Sequence, residues 1–447
     1  MGKQAHVLVI PLQAQGHIMP IMKFSHGLAK HGIKITIVNT ESTHNQILNA
    51  LAKEDDIANS ISLVSCPNVY DDQQVKKLIQ QINDDEKITC VLVDSFLAWN
   101  MEAAADLGIK RATICCFSAT HFLPIFNLPK LIQHGVIDNQ GTPKQKMVQL
   151  SPNIPSMNTS RIGWMNHETG KVEKYVFEFA SKINKSMALT EWVLCNSCYD
   201  LEAEAFKMDP KILPIGPLLA SNRSGNIVGN FSSEDFSCLK WLDEQATQSV
   251  IYIAFGSEAK FDQIQFQEFA TALELSNKPF LWVVRQDVAS KLDEAYFKGF
   301  QERMATRGLV ISWAPQQRVL EHPSIACFFT HCGWNSIVEA LSNGVPLLCW
   351  PFGLDQFYNA KYICEVWKVG LGFNYQDDET ITSIVTGEEI KNQLDELLGS
   401  DKYKANASDV KEKLMNSIKE GGNSYNNFMN FVEWVKSEDL IIRVGGK

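Results

Sequence analysis

The segment from Trp313 to Gln356 holds the densest set of residues able to do chemistry in this chain. At its centre a short apolar run, Ala326–Thr330, meets a turn at 331–333, and an amphipathic helix pattern follows until Gly344. A strand that feeds a helix through a tight glycine turn leaves unpaired backbone N–H groups at the positive end of the helix dipole. Such a place suits a phosphate, so the segment predicts an anion site at the start of that helix.

Side chains able to hold a nucleotide sugar surround that turn. Trp313 begins the segment with a flat aromatic surface, and Glu339 lies one helical turn deeper, where a carboxylate can accept hydrogen bonds from sugar hydroxyls. Further polar groups come from His331, Asn335, Ser336, Asp355 and Gln356. An aromatic plate, a phosphate cradle and a reader of sugar hydroxyls within one segment outline a nucleotide-sugar site.

The segment resembles, from end to end, the donor box of the plant UDP-dependent glycosyltransferases of family 1. By this resemblance Trp313 stacks on the uracil with Gln316 beside it, and Glu339 binds the ribose. The diphosphate is held by His331, Asn335 and Ser336, and the transferred sugar by Trp334, Asp355 and Gln356. The donor-binding set that the resemblance implies is Ser257, Trp313, Ala314, Gln316, His331, Gly333, Trp334, Asn335, Ser336, Glu339, Asp355 and Gln356.

The last residue of the box indicates which sugar is transferred. Gln356 at this position resembles the glucose-using members of the family, whereas a His would resemble galactose users. Asp355 could also cap the helix pattern that follows, Phe357–Val366, and one carboxylate can serve both roles. Ile337 departs from the small hydroxyl residue common in the family. Glucose, supplied as UDP-glucose, is the expected donor sugar.

A histidine and an aspartate follow two predicted strands near the N-terminus. His17 comes after the strand His6–Pro11, and Asp94 ends the strand Cys90–Val93. Ligands of open α/β sheets bind beyond the carboxyl ends of the strands, so both side chains are expected at one edge. A His held by an Asp can remove a proton from a hydroxyl, because the carboxylate fixes the tautomer and stabilises the imidazolium.

The sequences around these two residues, QGHIMP and VLVDSFLAW, resemble the catalytic His and Asp motifs of the same family. The resemblance implies that His17 is the general base and Asp94 its orienting partner. It implies one displacement that inverts an α-linked donor to a β-product. The growing charge on the leaving group could be stabilised by helix N–H groups and His331. No D-x-D motif occurs, so no metal and no cofactor besides the co-substrate is expected.

The acceptor side is expected to be apolar. An aromatic cluster follows the predicted strand Ala112–Cys116, and a second apolar group follows the donor helix. The expected acceptor-binding residues are Phe117, Ser118, His121, Phe122, Trp350, Phe352 and Gly353. Apolar walls suit a flat hydrophobic molecule such as a phenol, flavonoid or terpenoid. The segment between Pro67 and Cys90 is shorter than in the family, which predicts a more open pocket that tolerates bulky acceptors.

Composition excludes several other classes of protein. The net charge of −10 without a basic stripe argues against nucleic acid and against anionic membranes as partners. The eleven cysteines include no metal-type quartet and favour a reducing compartment. No stretch has the roughly 18 apolar residues that cross a bilayer, and Val7–Ile10 is too short for a signal-peptide core. A cytoplasmic monomer is expected.

Strand and helix patterns alternate along the whole chain, which is typical of doubly wound α/β domains. Combined with the resemblance, this predicts the GT-B fold, two facing Rossmann-like domains with an interdomain cleft. The expected N-terminal acceptor-binding domain covers 1–220, the linker 221–235 and the C-terminal UDP-sugar-binding domain 236–424. By the resemblance, a last helix at 425–437 packs back on the first domain.

Other functions stay open at this point. The same fold could use another UDP-sugar or form a carbon–carbon glycosidic bond, since both kinds of attack need a deprotonated phenol. A non-catalytic UDP-sugar-binding protein would have no need of His17 and Asp94. A nicotinamide dehydrogenase would carry the glycine fingerprint G-x-G-x-x-G, which this chain does not contain.

Overall fold

The structure is a computed structural model that describes residues 4–51, 61–166, 169–219, 234–257, 259, 262–373 and 384–438. The chain forms two compact units. Unit 1 comprises Met1–Gln145, Val172–Ser232 and Met415–Lys447, and unit 2 comprises Lys146–Lys171 and Ser233–Leu414.

These units differ from the predicted domains in two places. Residues 146–171 group with unit 2, although the prediction assigns them to the N-terminal domain. Unit 2 ends at Leu414, ten residues before the predicted boundary at 424. The predicted linker, 221–235, lies outside the described residues except for its last two.

Fifteen strands occur in the described residues, in chain order β1 His6–Ile10, β2 Lys34–Asn39, β3 Ile61–Ser65, β4 Cys90–Asp94, β5 Lys110–Cys115, β6 Met147–Val148, β7 Met157–Asn158, β8 Trp192–Cys195, β9 Ile212–Pro214, β10 Val250–Ala254, β11 Phe280–Val283, β12 Gly308–Ile311, β13 Ile325–Thr330, β14 Leu347–Cys349 and β15 Gly370–Gly372.

The α-helices in the same residues are α1 Gln15–Lys30, α2 Glu41–Leu51, α3 Asp72–Asp85, α4 Met101–Asp106, α5 Ala119–Phe126, α6 Leu128–Gln133, α7 Lys174–Ser186, α8 Tyr199–Met208, α9 Ser237–Asp243, α10 Gln263–Ser276, α11 Gln286–Ala289, α12 Glu294–Met304, α13 Gln316–Glu321, α14 Trp334–Asn343, α15 Gln356–Lys361, α16 Gly387–Gly399, α17 Asp401–Ser417 and α18 Asn423–Lys436. A 3₁₀ helix spans Ser95–Asn100, and a π-helical turn spans Tyr362–Val366.

Unit 1 is built on a parallel sheet of seven strands in the order β3-β2-β1-β4-β5-β8-β9. Every residue of β1 and β4 is buried, as expected for parallel strands that helices cover on both faces. β1 lies directly beside β4, with Ile10 opposite Val93. The chain segments that follow these two strands therefore leave the sheet side by side at its carboxyl edge.

The last helix, α18, is part of unit 1. Phe431 is fully buried there, with its ring 5.7 Å from that of Phe24 and 5.5 Å from that of Trp192. The ammonium of Lys110, at the start of β5, donates to the carbonyls of Trp434 and Ser437. A cation that binds the last carbonyls of a helix satisfies groups that have no partner within the helix. The helix predicted over Tyr425–Ser437 forms over Asn423–Lys436.

Unit 2 has a parallel sheet of six strands in the order β12-β11-β10-β13-β14-β15. The central strand β13 is buried throughout, and Thr330 at its end pairs with Ala254 of β10 and Cys349 of β14. β11 lies on the other side of β10. The segments after β10, β11, β13 and β14 therefore meet at one carboxyl edge, where ligands of open α/β sheets bind.

Residues 146–171 pack on α15, which explains why they belong to unit 2. The hydroxyl of Tyr358 donates to the Pro155 carbonyl at 2.9 Å, and the Lys361 ammonium donates to the Ser156 carbonyl at 3.1 Å. The guanidinium of Arg161 lies 4.0 Å from the centre of the Phe357 ring. All of these contacts are long-range in sequence, so local patterns could not predict them.

The short charged segment between Pro67 and Cys90 contains a regular helix, α3. The side chain of Asp71 caps it by accepting from the N–H groups of Gln73 and Gln74. Val75 and Ile79 are buried on its inner face, while most of the charged residues are exposed. No helix within the described residues has the length and apolar character needed to span a membrane.

Candidate active site

His17 and Asp94 meet at the carboxyl edge of the unit 1 sheet. His17 lies in the first turn of α1, and its Nδ1 is 2.7 Å from Oδ2 of Asp94, the last residue of β4. The Asp94 side chain is fully buried, and its Oδ1 accepts from the N–H of Phe96 at 2.9 Å. A carboxylate that accepts from Nδ1–H assigns the proton to that nitrogen and makes Nε2 the basic one. The pair therefore has the geometry of an oriented base.

Aromatic rings surround the imidazole of His17. The Phe96 ring centre lies 5.6 Å from that of His17, the Phe117 ring centre 6.1 Å, and the two phenylalanines stack at 4.8 Å. The His17 side chain is 17% exposed, so most of it is shielded from water. Phe117, expected from the sequence to line the acceptor site, is thus placed beside the base.

Two other predicted acceptor residues have structural roles. The Ser118 hydroxyl accepts from the N–H of His121 at 3.0 Å and caps α5. Phe122 is fully buried, with its ring 4.5 Å from that of Phe126 and 5.2 Å from that of Phe117. The assignment of Phe122 as an acceptor contact is corrected, because its ring belongs to the core. The assignment of Ser118 stays a prediction, since a hydroxyl that accepts one hydrogen bond can still donate another. His121 is partly exposed and is a better candidate.

Glu202, which the sequence analysis does not single out, holds the start of α5 in place. Its Oε2 accepts from the N–H of Ala119 at 2.9 Å and the hydroxyl of Ser197 at 2.7 Å, while Oε1 accepts from the N–H of Thr120 at 2.9 Å. Burial raises the pKa of this carboxyl group, and the hydrogen bonds oppose that rise. Its backbone leaves the helical region within α8, with φ −134° and ψ 41°.

We expect Glu202→Gln to raise KM for the acceptor several-fold and to leave KM for the donor unchanged. An amide can replace only one of the two oxygens, so its NH2 group would face a backbone N–H at the start of α5. An unpaired buried donor costs about 1–3 kcal/mol, and α5 follows directly on Phe117. Steady-state kinetics with each substrate varied would measure the split.

Ser197→Ala is the matched control for this change. It removes the hydroxyl donor but leaves both backbone N–H groups of α5 bound to the carboxylate, so KM for the acceptor should stay near that of the unaltered protein. A Glu202→Gln protein with a lower Tm but unchanged acceptor KM would show that Glu202 stabilises the fold without positioning the acceptor side.

Tyr70 is a second residue near the base that the sequence did not point to. Tyr70 is 48% exposed. Partial burial and the nearby Asp94 carboxylate both raise the pKa of this phenol. Tyr70 therefore adds an exposed aromatic ring to unit 1.

In unit 2 the turn between β13 and α14 is tightly enclosed. Cys332 has a φ of 65°, a strained conformation for a residue with a side chain. The side-chain amide of Asn359 donates to its carbonyl at 3.0 Å, and the Thr330 hydroxyl accepts from its N–H at 3.3 Å. The N-cap of α14 is Gly333, which has no side chain to cap the helix. No side chain of the N-cap residue therefore binds the first N–H groups of α14, and the anion site there stays a prediction.

The imidazole of His331 lies between two glycines. A Cβ atom on Gly333 would lie 2.4 Å from its Nε2, and one on Gly256 would lie 2.6 Å from the same nitrogen. Burial lowers the pKa of His331 to about 4, although a hydrogen bond with the Ala254 carbonyl opposes the shift. The ring is therefore neutral at pH 7. Between pH 6.5 and about 4 the unfolded chain takes up a proton that the folded site refuses, so stability falls as the pH decreases through this range.

Gln316 connects the predicted phosphate and ribose residues. Its amide nitrogen donates to the Ser336 hydroxyl at 3.0 Å and to Oε2 of Glu339 at 2.9 Å. Its carbonyl oxygen accepts from the hydroxyl of Tyr252 at 3.4 Å. The structure thus brings Gln316, Ser336 and Glu339 into one network, in which Gln316 fixes the carboxylate expected to bind the ribose.

Predicted sugar contacts cluster at the start of α15. Oε1 of Gln356 accepts from the N–H groups of Phe352 and Gly353 at 2.8 and 3.2 Å, which leaves its Nε2 as the group to donate to a hydroxyl. Oδ2 of Asp355 accepts from the side-chain amide of Asn359 at 2.7 Å, so the other oxygen can accept from a ligand. Leu354, which lies between Gly353 and Asp355 in the sequence, is 60% exposed and has a φ of 52°.

Two tryptophans near the donor turn are buried. Trp350 is 2% exposed, and its ring packs on Phe269 at 4.7 Å and Phe373 at 4.9 Å. Its assignment to the acceptor site is corrected, because it belongs to the core of unit 2. Trp334 is 3% exposed and contacts Trp367, so a contact with the sugar would fall to its backbone N–H.

The other predicted residues lie in segments that follow strands of unit 2, and their roles stay predictions. Trp313 is partly exposed before α13, Ala314 is buried beside it, and Asn335 is partly exposed in the first turn of α14. Phe352 is half-buried against Phe255. Ser257 is exposed in the segment after β10.

One group of side chains in the described residues has the composition of a metal site: His17, Asp94 and Cys116. Burial raises the pKa of the Cys116 thiol well above its usual value, so the sulfur keeps its proton. A protonated thiol is a poor metal ligand. The absence of a catalytic metal stays a prediction.

Residues 167–413 match the family model of the UDP-glucoronosyl and UDP-glucosyl transferases. The chain is 38% identical to UDP-glycosyltransferase 83A1 of Arabidopsis thaliana, with 98% of each chain covered. It is 30% identical to linamarin synthase 1 of Manihot esculenta, with 97% of each covered. The chain belongs to this family. The resemblance seen in the sequence is thereby confirmed.

Solved structures of UDP-glycosyltransferases confirm the GT-B fold. UGT2 of Phytolacca americana, complexed with UDP-2fluoro-glucose and pterostilbene, superposes with a TM-score of 0.81 at 25% identity, covering 97% of this chain and all of that one. Os79 of O. sativa in complex with UDP gives 0.77 at 25% identity, covering 96% and 100%. The family is one of glycosyltransferase enzymes, and this chain is such an enzyme.

Proposed function

We propose that the enzyme transfers glucose from UDP-glucose to a hydroxyl of a hydrophobic small molecule and gives a β-glucoside. The observation that carries this proposal is the pair of His17 and the fully buried Asp94, 2.7 Å apart at the carboxyl edge of a parallel sheet. A protein that only binds UDP-sugars gains nothing from an oriented base. The donor network of Gln316, Ser336 and Glu339 supports the choice of a UDP-sugar.

The reaction is a single displacement. Nε2 of His17 takes the proton of the acceptor hydroxyl while its oxygen attacks the anomeric carbon. The bond between that carbon and the UDP oxygen breaks, and its electron pair leaves with UDP. Attack from the side opposite the leaving group converts an α-linked donor into a β-product. Asp94 stabilises the imidazolium that forms.

Charge that develops on the leaving diphosphate would be stabilised at the turn before α14. The first N–H groups of that helix and the neutral ring of His331 supply fixed dipoles, which need no reorganisation during the reaction. We propose that these dipoles replace a metal ion and that the enzyme uses no cofactor besides its co-substrate.

Glucose is the proposed sugar because of the way Gln356 is held. With Oε1 occupied by two backbone N–H groups, the residue presents a donor, and the spare oxygen of Asp355 presents an acceptor next to it. Such a pair can bind two neighbouring hydroxyls of a hexose. Among the relatives, 7-deoxyloganetin glucosyltransferase of Catharanthus roseus, 29% identical, is named for glucose transfer.

The acceptor is proposed to be a phenolic, flavonoid or terpenoid compound. The rings of Phe96 and Phe117 near His17 suit a flat apolar molecule. Pterostilbene, bound to the Phytolacca americana enzyme, is a compound of this kind. We further propose that the enzyme is a monomer and that it works in the cytoplasm. All eleven cysteines are free thiols in the structure, which supports a reducing compartment.

The test is incubation of the purified enzyme with UDP-glucose and a panel of phenols and terpenoid alcohols, followed by mass spectrometry for a hexose increment. We expect a β-linked product by the anomeric proton coupling in NMR, and equal amounts of UDP released and glucoside formed. A product that resists acid hydrolysis would show carbon attack instead. Binding of UDP without transfer to any acceptor would favour the non-catalytic alternative.

A further inference from the structure

We propose that Arg285 is a positioning residue for the diphosphate end of the donor, because it holds the backbone of the segment after β10 that carries Ser257. This deepens the proposed function and rests on it. Arg285 follows β11 at the carboxyl edge of the unit 2 sheet and belongs to none of the motifs in the sequence. Four hydrogen bonds define what the side chain does there.

The guanidinium of Arg285 binds two carbonyls of that segment. Nη1 donates to the Gly256 carbonyl at 2.6 Å, and Nη2 donates to the Ala259 carbonyl at 3.0 Å. Asp287 holds the opposite side of the fork, with Oδ1 accepting from Nε at 2.9 Å and Oδ2 from Nη2 at 3.1 Å. The Arg285 side chain is only 13% exposed, so it is fixed between the segment and the carboxylate.

These bonds set the direction of the next backbone donor. The N–H of Ser257 shares a planar trans peptide with the Gly256 carbonyl, and in such a peptide the two groups point in opposite directions. Because the carbonyl points at Arg285, the Ser257 N–H points away from it. Gly256 itself lies against the imidazole of His331, so Ser257 follows directly on a residue in contact with the donor turn.

Arg285 is better suited to hold this backbone than to bind the phosphate itself. Four of the bonds that its five N–H groups can make are already directed at protein oxygens. The neighbouring Asp287 carboxylate also carries the opposite charge, which weakens the attraction between the guanidinium and a phosphate. A fork that binds two carbonyls and a carboxylate at once requires the planar geometry of arginine, which lysine lacks.

The experiment compares the affinities of Arg285→Lys for UDP, UMP and uridine by isothermal titration calorimetry. We expect the Kd for UDP to rise at least about 10-fold, which is the effect of losing one charge-assisted hydrogen bond. The Kd for UMP should rise less. The Kd for uridine should stay unchanged, because Trp313 and Glu339 are expected to bind the base and the ribose. A residue that merely stabilised the fold would not distinguish the three ligands.

Arg307→Lys is the matched control. Arg307 also binds two backbone carbonyls, those of Leu273 and Glu274 at 3.1 and 2.8 Å, but it precedes β12 and so lies at the amino edge of the same sheet. The same substitution there should leave the Kd for UDP within about two-fold while costing a similar loss of Tm.

Asp287→Ala is a second variant, in which the exposed carboxylate is removed and the arginine fork loses one of its anchors. We expect a rise in the Kd for UDP of a few-fold. The inference is overturned if Arg285→Lys and Asp287→Ala bind UDP like the unaltered enzyme, if Arg307→Lys weakens UDP equally, or if uridine is weakened as much as UDP. Failure of the unaltered enzyme to bind UDP would instead overturn the proposed function.

Discussion

His17→Ala is expected to lower kcat for transfer to an alcohol acceptor by about 10²–10⁴-fold, the usual contribution of a positioned general base. The affinity for UDP should change little, because the residues proposed to bind it all belong to unit 2. Initial rates measured by UDP release, together with calorimetric titration of UDP, would separate the two quantities. Near-normal transfer to an alcohol would remove His17 from the mechanism.

The size of this loss should depend on the acidity of the acceptor. An acidic phenol is already partly ionised in water and needs less help from a base, so the deficit of His17→Ala should shrink from alcohols to phenols to nitrophenols. A deficit equal for all acceptors would indicate that the imidazole shapes the pocket and takes no proton.

Asp94→Asn provides the companion measurement. The amide can no longer stabilise an imidazolium, and its NH2 group, turned toward His17, would favour the tautomer with the proton on Nε2. We expect a loss smaller than or equal to that of His17→Ala, and a double variant no slower than His17→Ala alone. Independent, multiplying losses would contradict a joint role for the two residues.

The sequence predicted best those features that depend on residues close together in the chain, such as buried strands and the residues that follow them. The strand predicted over His6–Pro11 forms over His6–Ile10, and the one predicted over Cys90–Val93 forms over Cys90–Asp94. Buried parallel strands are continuous apolar runs, which makes them visible without knowledge of their neighbours. Since the residues after such strands share one edge of the sheet, the meeting of His17 and Asp94 could be predicted from two strand ends.

Residues that act through distant partners could not be predicted. Glu202 is typical of a solvated helix position, and its burial depends on N–H groups more than eighty residues earlier. Arg285 binds carbonyls 26 and 29 residues before it. Trp350 follows the buried strand β14 within the donor box, yet its ring packs on Phe269 and Phe373 in the core. Proximity in sequence to a site therefore did not decide which side chains face it.

The same limit applies to residues 146–171. They follow unit 1 in sequence, and contacts of Tyr358, Lys361 and Phe357 join them to the helix that begins with Gln356. A part of the first half of the chain is therefore attached to the proposed sugar-binding end of the donor box. A division of the sequence into one continuous N-terminal and one continuous C-terminal domain therefore misassigns residues 146–171, which belong to unit 2.

The glycine at the start of α14 is expected to be as important for UDP binding as any side chain in the box. Gly333→Ala should raise the Kd for UDP by at least about 100-fold, equivalent to about 2.7 kcal/mol. Its φ of −66° suits any residue, so backbone strain is no part of the effect. The cause is steric, because the new Cβ would lie 2.4 Å from Nε2 of His331 and 3.1 Å from its Cε1.

The imidazole of His331 has little room to move away from that methyl group. Gly256 lies against the same nitrogen, because a Cβ atom built on Gly256 would be only 2.6 Å from Nε2. The ring therefore already contacts a second backbone segment. Either the ring or the first turn of α14 must shift, and both belong to the proposed diphosphate site. Gly399→Ala, at the end of α16, is the control, since a Cβ there meets nothing within 4 Å. Titration of UDP into both variants decides the matter: equal, unweakened binding would show that the diphosphate is held elsewhere in unit 2.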